Sequence, residues 1–181
     1  MAHILSEGFF ADLLNGALRP VLEAVLSDHT LDLEIRDEYI NVYYRGGSLL
    51  RAGVEKGRYT ASIDEGYGAS SFDPETAPSE WAGRIPAIKQ SMDRFLTGKQ
   101  ALEREFQQLV VRTNNYTKIA NATDYFVVDI EYDNSDRDNR GRFDMVMVRW
   151  ESDGSSRKLR GSKPALALVE MKFGEHALEG S

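Results

Sequence analysis

The chain has 181 residues, and 22 Lys+Arg against 29 Asp+Glu give a formal net charge of −7, which argues against coating nucleic acid by bulk attraction. With 41% hydrophobic and 28% charged residues it is a globular chain, sized for one ordinary domain plus a small module. Without Cys it has no thiolate nucleophile, zinc–thiolate centre or iron–sulfur cluster. No apolar run reaches the roughly 18 residues that span a bilayer and no signal peptide is evident, so a cytoplasmic protein with no membrane partner is expected.

Phe9, Leu13, Leu14, Leu18, Val21, Leu22, Val25 and Leu26 recur at near-helical spacing, predicting a helix over Gly8–Ser27 with a break or kink at Pro20. Leu31–Arg36 and Glu38–Arg45 alternate as strands do. The Gly46-Gly47 pair before Ser48–Val54 predicts a β-hairpin, with a further strand over Arg58–Asp64. Glu65–Ser79, rich in Gly, Ser and Pro, reads as a linker. Residues 1–79 are therefore expected to form a small α/β module and residues 80–181 a second domain.

In that second domain a helix is predicted over Glu80–Leu96, after Pro86, and a clearer one over Lys99–Thr113, with Leu102, Phe106, Leu109 and Val110 as its apolar stripe. Three strands are predicted over Asp124–Tyr132, Arg142–Trp150 and Ala165–Phe173, joined by polar loops. Helix, strand, strand, strand suggests a helix-backed sheet in an α+β or α/β domain.

The last strand, ALALVEMKF, carries the chemistry. Glu170 and Lys172 share a face, two residues apart in an otherwise apolar run, and each needs a partner there. Asp144 sits in the preceding apolar strand, where hairpin pairing would set it beside Glu170. Two converging carboxylates repel, and a hard divalent cation resolves the repulsion by taking their oxygens. A neighbouring lysine then suits metal-assisted phosphodiester hydrolysis. Glu103 and Glu105 flank the helical stripe, and either could reach over the sheet.

Glu103-Arg104-Glu105-Phe106, Phe143-Asp144 and Glu170-Met171-Lys172 together resemble the PD-(D/E)xK nuclease superfamily. ALEREFQQLV looks like the opening helix of archaeal Holliday-junction resolvases within that superfamily. The resemblance covers Leu102 to Phe173 and implies a restriction endonuclease-like core with a mixed β-sheet, running helix, three strands, helix, strand. It implies Asp144, Glu170 and Glu103 as ligands of Mg²⁺ or Mn²⁺, favours Glu103 over Glu105, and makes Lys172 the catalytic lysine. Gln107 is a supporting candidate, and Phe143 replaces the nominal proline. The chain stops at GEHALEGS, so the core is expected to lack its final helix and strand, completed by a homodimer or by a further segment. The implied activity is a metal-dependent nuclease acting on DNA.

Other features weigh less. His3, His29 and His176 are too scattered for a triad or a His-rich metal site. Asp129 and Glu131 share a face and could join the metal cluster, but read rather as an exposed polar face. DNSDRDNRG fails as a calcium loop because Arg140 and Met147 stand where oxygen ligands belong. Arg157, Lys158, Arg160 and Lys163 read equally as candidate phosphate contacts and as a solvated loop. Tyr43, Tyr44, Arg45 and Arg51 interleave aromatic and basic groups but suit ordinary sheet packing. Two competing readings are a catalytically inactive nuclease-like binding module and a structural ion network.

Overall fold

Two short helices open the chain where one was expected. α1 (Glu7–Asn15) is capped by Ser6, whose Oγ accepts the Phe9 N–H at 3.3 Å. It stops at Gly16, where an added Cβ would come within 2.8 Å of the Asp12 Cα. α2 (Arg19–Ser27) holds Pro20 in its first turn, where a missing N–H costs nothing, so proline starts this helix and kinks neither. The computed structural model describes residues 4–67, 72–73, 75–98, 102–116, 122–134, 141–154, 157 and 164–174. Among them lie four α-helices and two sheets, a mixed α+β architecture, and both sheets are antiparallel throughout where a mixed sheet was expected.

The first sheet is a meander of β1 (Leu31–Ile35), β2 (Tyr39–Tyr44), β3 (Gly47–Glu55) and β4 (Arg58–Ser62). Its central turn is Arg45-Gly46, with φ of 49° and 73°, and not the glycine pair, because Gly47 already pairs with Tyr44. Lys56-Gly57 repeats the arrangement at 51° and 76°. Positive φ at both central residues matches the twist of the flanking strands. A register shift opposite Val42 and Tyr43 leaves Leu49 as an extra residue, and this bulge lets the consecutive Leu49 and Leu50 both be fully buried.

α3 (Pro78–Gly98) runs unbroken through Pro86 and buries Trp81, Ile85, Ile88 and Met92 in the same core as Phe9, Leu18, Val21, Ile40 and Leu50. Lys89 Nζ bonds Asp28 Oδ2 and Thr30 Oγ1, both at 2.6 Å, and Asp93 accepts from Tyr44 Oη at 3.1 Å and Arg45 Nη1 at 2.9 Å. Tyr44 and Arg45 are thus spent within the unit, and Tyr43 is buried beneath Arg36. The expected linker is partly packed as well: Tyr67 meets Phe95 edge-on at 5.2 Å, and Phe72 is buried beside Trp81. The compact units are residues 2–101 and 102–181, beside an expected division at 79–80, and the apolar face of α3 belongs to the first core.

The second unit holds α4 (Leu102–Tyr116) and a sheet in the order β5 (Tyr125–Asn134), β6 (Gly141–Arg149), β7 (Leu166–Val169). Asn115 acts as a substitute strand on the free edge of β5. Its Oδ1 accepts the Val127 N–H at 3.0 Å and its Nδ2 donates to the Val127 carbonyl at 2.8 Å, while Asn114 Nδ2 donates to the Tyr125 carbonyl at 2.9 Å. Such closure removes a template for strand addition. α4 buries Gln107, Gln108 and Val111, whereas Leu102, Phe106 and Leu109 of the expected stripe stay exposed. A bulge at Val128 exchanges two expected positions of β5: Val128 is exposed and Asp129 is buried, while Ile130 is buried as expected. Glu131 adopts a left-handed φ of 52°, which costs a non-glycine residue about 1–2 kcal/mol. No helix among the described residues is long and apolar enough to cross a membrane.

Candidate functional site

Asp144 lies on β6 within a strand whose neighbours Met145 and Val146 are buried. β6 pairs with β7 through Met145 and Val169, so Asp144 stands one step beyond the last bonded pair. There its Oδ2 accepts the backbone N–H of Met171 at 2.5 Å. Glu170 and Lys172 flank that amide and lie past the end of β7, which stops at Val169. Both are exposed, so the expectation that they interrupt a buried run is corrected: the strand ends early and leaves them in water.

Lys172 Nζ donates to Glu170 Oε1 at 2.7 Å. The Lys172 pKa is raised chiefly by that hydrogen bond and by the Glu170 charge; desolvation opposes them, and the charges of Asp144 and Glu103 add smaller upward pushes. One ammonium thus lies in the field of all three expected metal ligands. Phe106 stacks on Phe173 with ring centroids 4.6 Å apart, tying the first turns of α4 to the residue after Lys172. Glu103 and Glu105 point to opposite sides of α4, as two helical steps require, and it is Glu103 whose charge acts on Lys172. Glu105 is half-buried, and Gln107 is buried within the unit.

Among the described residues, no group of three or more His, Asp or Glu side chains is gathered closely enough to hold a metal ion. Glu170 is turned to Lys172 and Asp144 to the Met171 amide. The donor chemistry itself, carboxylate oxygens only, fits a hard cation such as Mg²⁺ or Mn²⁺.

Of the candidate phosphate contacts, Arg157 is committed elsewhere. Its Nη1 donates to the carbonyls of Thr123 at 3.0 Å and Trp150 at 2.9 Å, and its guanidinium lies over the Phe126 ring at 5.7 Å. These contacts tie Arg157 to the residues flanking β5 and β6. Lys158, Arg160 and Lys163 lie outside the described residues, as does most of DNSDRDNRG.

Sequence reasoning missed a further pair at the site. Arg104 Nε bonds Glu131 Oε1 at 3.1 Å, and Arg142 Nη2 approaches the same oxygen at 3.9 Å. The only sequence signal was the position of Arg104 beside Glu103. Comparison with protein-family models, curated proteins and solved structures gave no match to this chain.

Proposed function

We propose that this chain is a metal-dependent nuclease of the PD-(D/E)xK type, with DNA as substrate. The observation that carries the reading is the Lys172 ammonium, bonded to Glu170 and under the charge of both Asp144 and Glu103. A helix followed by three antiparallel strands, with the acid on the second strand and the Glu-x-Lys pair after the third, also agrees with the opening part of that core.

Asp144, Glu170 and Glu103 would hold Mg²⁺ or Mn²⁺. Such an ion polarises a phosphoryl oxygen and makes water a better nucleophile at neutral pH. Asp144 is fixed for that role by the Met171 amide, which orients one oxygen and leaves the other available. Glu170 would exchange its bond to Lys172 for the cation. Lys172, so released, is long and exposed enough to meet a phosphate, where its charge stabilises the developing negative oxygens.

A second reading, a nuclease-like module that binds without turnover, is favoured by the Glu170–Lys172 pairing and by the separation of the donors among the described residues. Incubating the chain with supercoiled and linear DNA in Mg²⁺, Mn²⁺ or chelator separates the two. The nuclease reading expects metal-dependent cuts that fall about 100-fold or more in Lys172→Met. Binding of DNA with no cuts in any metal would support the module.

A further inference from the structure

Glu131 is the least comfortable residue of the second sheet, and its position is informative. Ile130 pairs with Met145 and Tyr132 with Phe143, so by register Glu131 faces Asp144 across the ladder. Yet its backbone is left-handed, with φ of 52°, a conformation that bulky non-glycine residues take only when their surroundings enforce it. Its side chain is largely covered, 22% exposed, and its Oε1 receives Arg104 from α4 and Arg142 from β6. Each arginine adjoins a candidate ligand: Arg104 directly follows Glu103, and Arg142 precedes Asp144 by two residues.

A surface ion pair with one half-exposed partner adds little to stability. A strained backbone retained for such a pair points to geometry as its purpose. Two guanidiniums on one carboxylate also argue against Glu131 as a metal ligand, because a cation would have to displace both.

We propose that Glu131 is a positioning residue: through Arg104 it holds the first turn of α4, and Glu103 with it, on the helix that Phe106 stacks against Phe173 beside Lys172. This rests on the metal-site reading above. Arg142 braces the same carboxylate from the Asp144 side. Outer partners of this kind typically change metal affinity about 10-fold or more when removed.

Three variants test it, with Mn²⁺ alone as the probe. Glu131→Gln is expected to weaken Mn²⁺ binding about 10-fold by calorimetry and to speed amide exchange over residues 103–107, with little change in urea midpoint. Arg104→Gln leaves Arg142 on the Glu131 carboxylate and should reproduce both losses if the coupling runs through Arg104. Glu131→Gly removes the carboxylate and relieves the backbone at once, so the fold should be as stable as the parent or more so while Mn²⁺ binding still falls. Unchanged exchange in α4 and unchanged Mn²⁺ affinity in Glu131→Gln overturn the proposal. If the parent chain binds no Mn²⁺, the metal-site reading fails by itself. The exchange data then decide the positioning role alone, with acceleration in both Glu131→Gln and Arg104→Gln supporting it and no change overturning it.

Discussion

The carboxylate of Asp144 and the backbone amide of Met171 are joined at 2.5 Å, and this bond links β6 to the chain after strand pairing has stopped at Val169. It is charge-assisted, and it holds the Glu-Met-Lys segment where its two charged side chains can act together. Asp144→Asn keeps an acceptor for the amide and should keep the fold, while metal binding and cleavage are lost. Asp144→Ala loses both and should also cost about 1–3 kcal/mol. Denaturant midpoints read beside Mg²⁺-dependent cleavage check the split, and an alanine variant that still cuts like the parent removes Asp144 from the site.

Asn115 closes the free edge of β5 with a donor and an acceptor on Val127. Asn115→Ala should cost about 1–3 kcal/mol for the two lost bonds. It should also increase self-association, because an open strand edge invites pairing. Asn115→Asp keeps the acceptor but sets a negative oxygen against the Val127 carbonyl, so it should be no better. Urea unfolding and light scattering measure both effects; an alanine variant as stable and monodisperse as the parent contradicts the account.

Burial alone would raise the pKa of Asp28. The hydrogen bonds from Lys89 and Thr30 and the Lys89 charge outweigh it and bring the group from 3.8 down to about 2. A folded pKa below the unfolded one means that the contribution is complete above about pH 4 and disappears as pH falls through 2. The Asp28 side chain is 33% exposed, so screening reduces the contribution to about 1 kcal/mol. Asp28→Asn should therefore be less stable than the parent at pH 6 and converge with it near pH 2. Two unfolding curves that stay parallel across this range would show that the ion pair does not set the acid limb.

The Trp81 indole is 1% exposed, and its Nε1 finds no acceptor among the described residues. A buried donor without a partner carries its desolvation cost uncompensated. Trp81→Phe removes that donor along with part of the ring, so the two effects offset and stability should stay within about 1 kcal/mol of the parent. Trp81→Ala leaves a cavity and should cost about 3–5 kcal/mol. Equal losses in the two variants would mean that the indole N–H is satisfied after all.

Hydrophobic alternation made β1 to β6 legible, because side-chain period survives even where exact ends do not. Single-residue irregularities were not legible. The bulges at Leu49 and Val128 and the left-handed Arg45 and Glu131 each depend on a backbone choice that side-chain type does not announce. Those choices decide faces: Asp129 reads as solvated only if Val128 keeps the pleat in step. ALALV reads as a buried strand, yet Leu166 and Leu168 are exposed. At the site, spacing was enough to associate Asp144 with Glu170 and Lys172. Arg104 and Glu131 were missed because their meeting needs a helix placed on a sheet by contacts far apart in the chain.

The two-residue turns at Arg45-Gly46 and Lys56-Gly57 leave the meander no slack. One residue inserted within β4 ahead of Ala61 would shift its pairing with β3 and send Ala61 outward while Thr60 or Ser62 entered the core. Changes in length within this unit should therefore be tolerated ahead of β1 or beyond β4, and insertions inside its strands should yield misfolded chains.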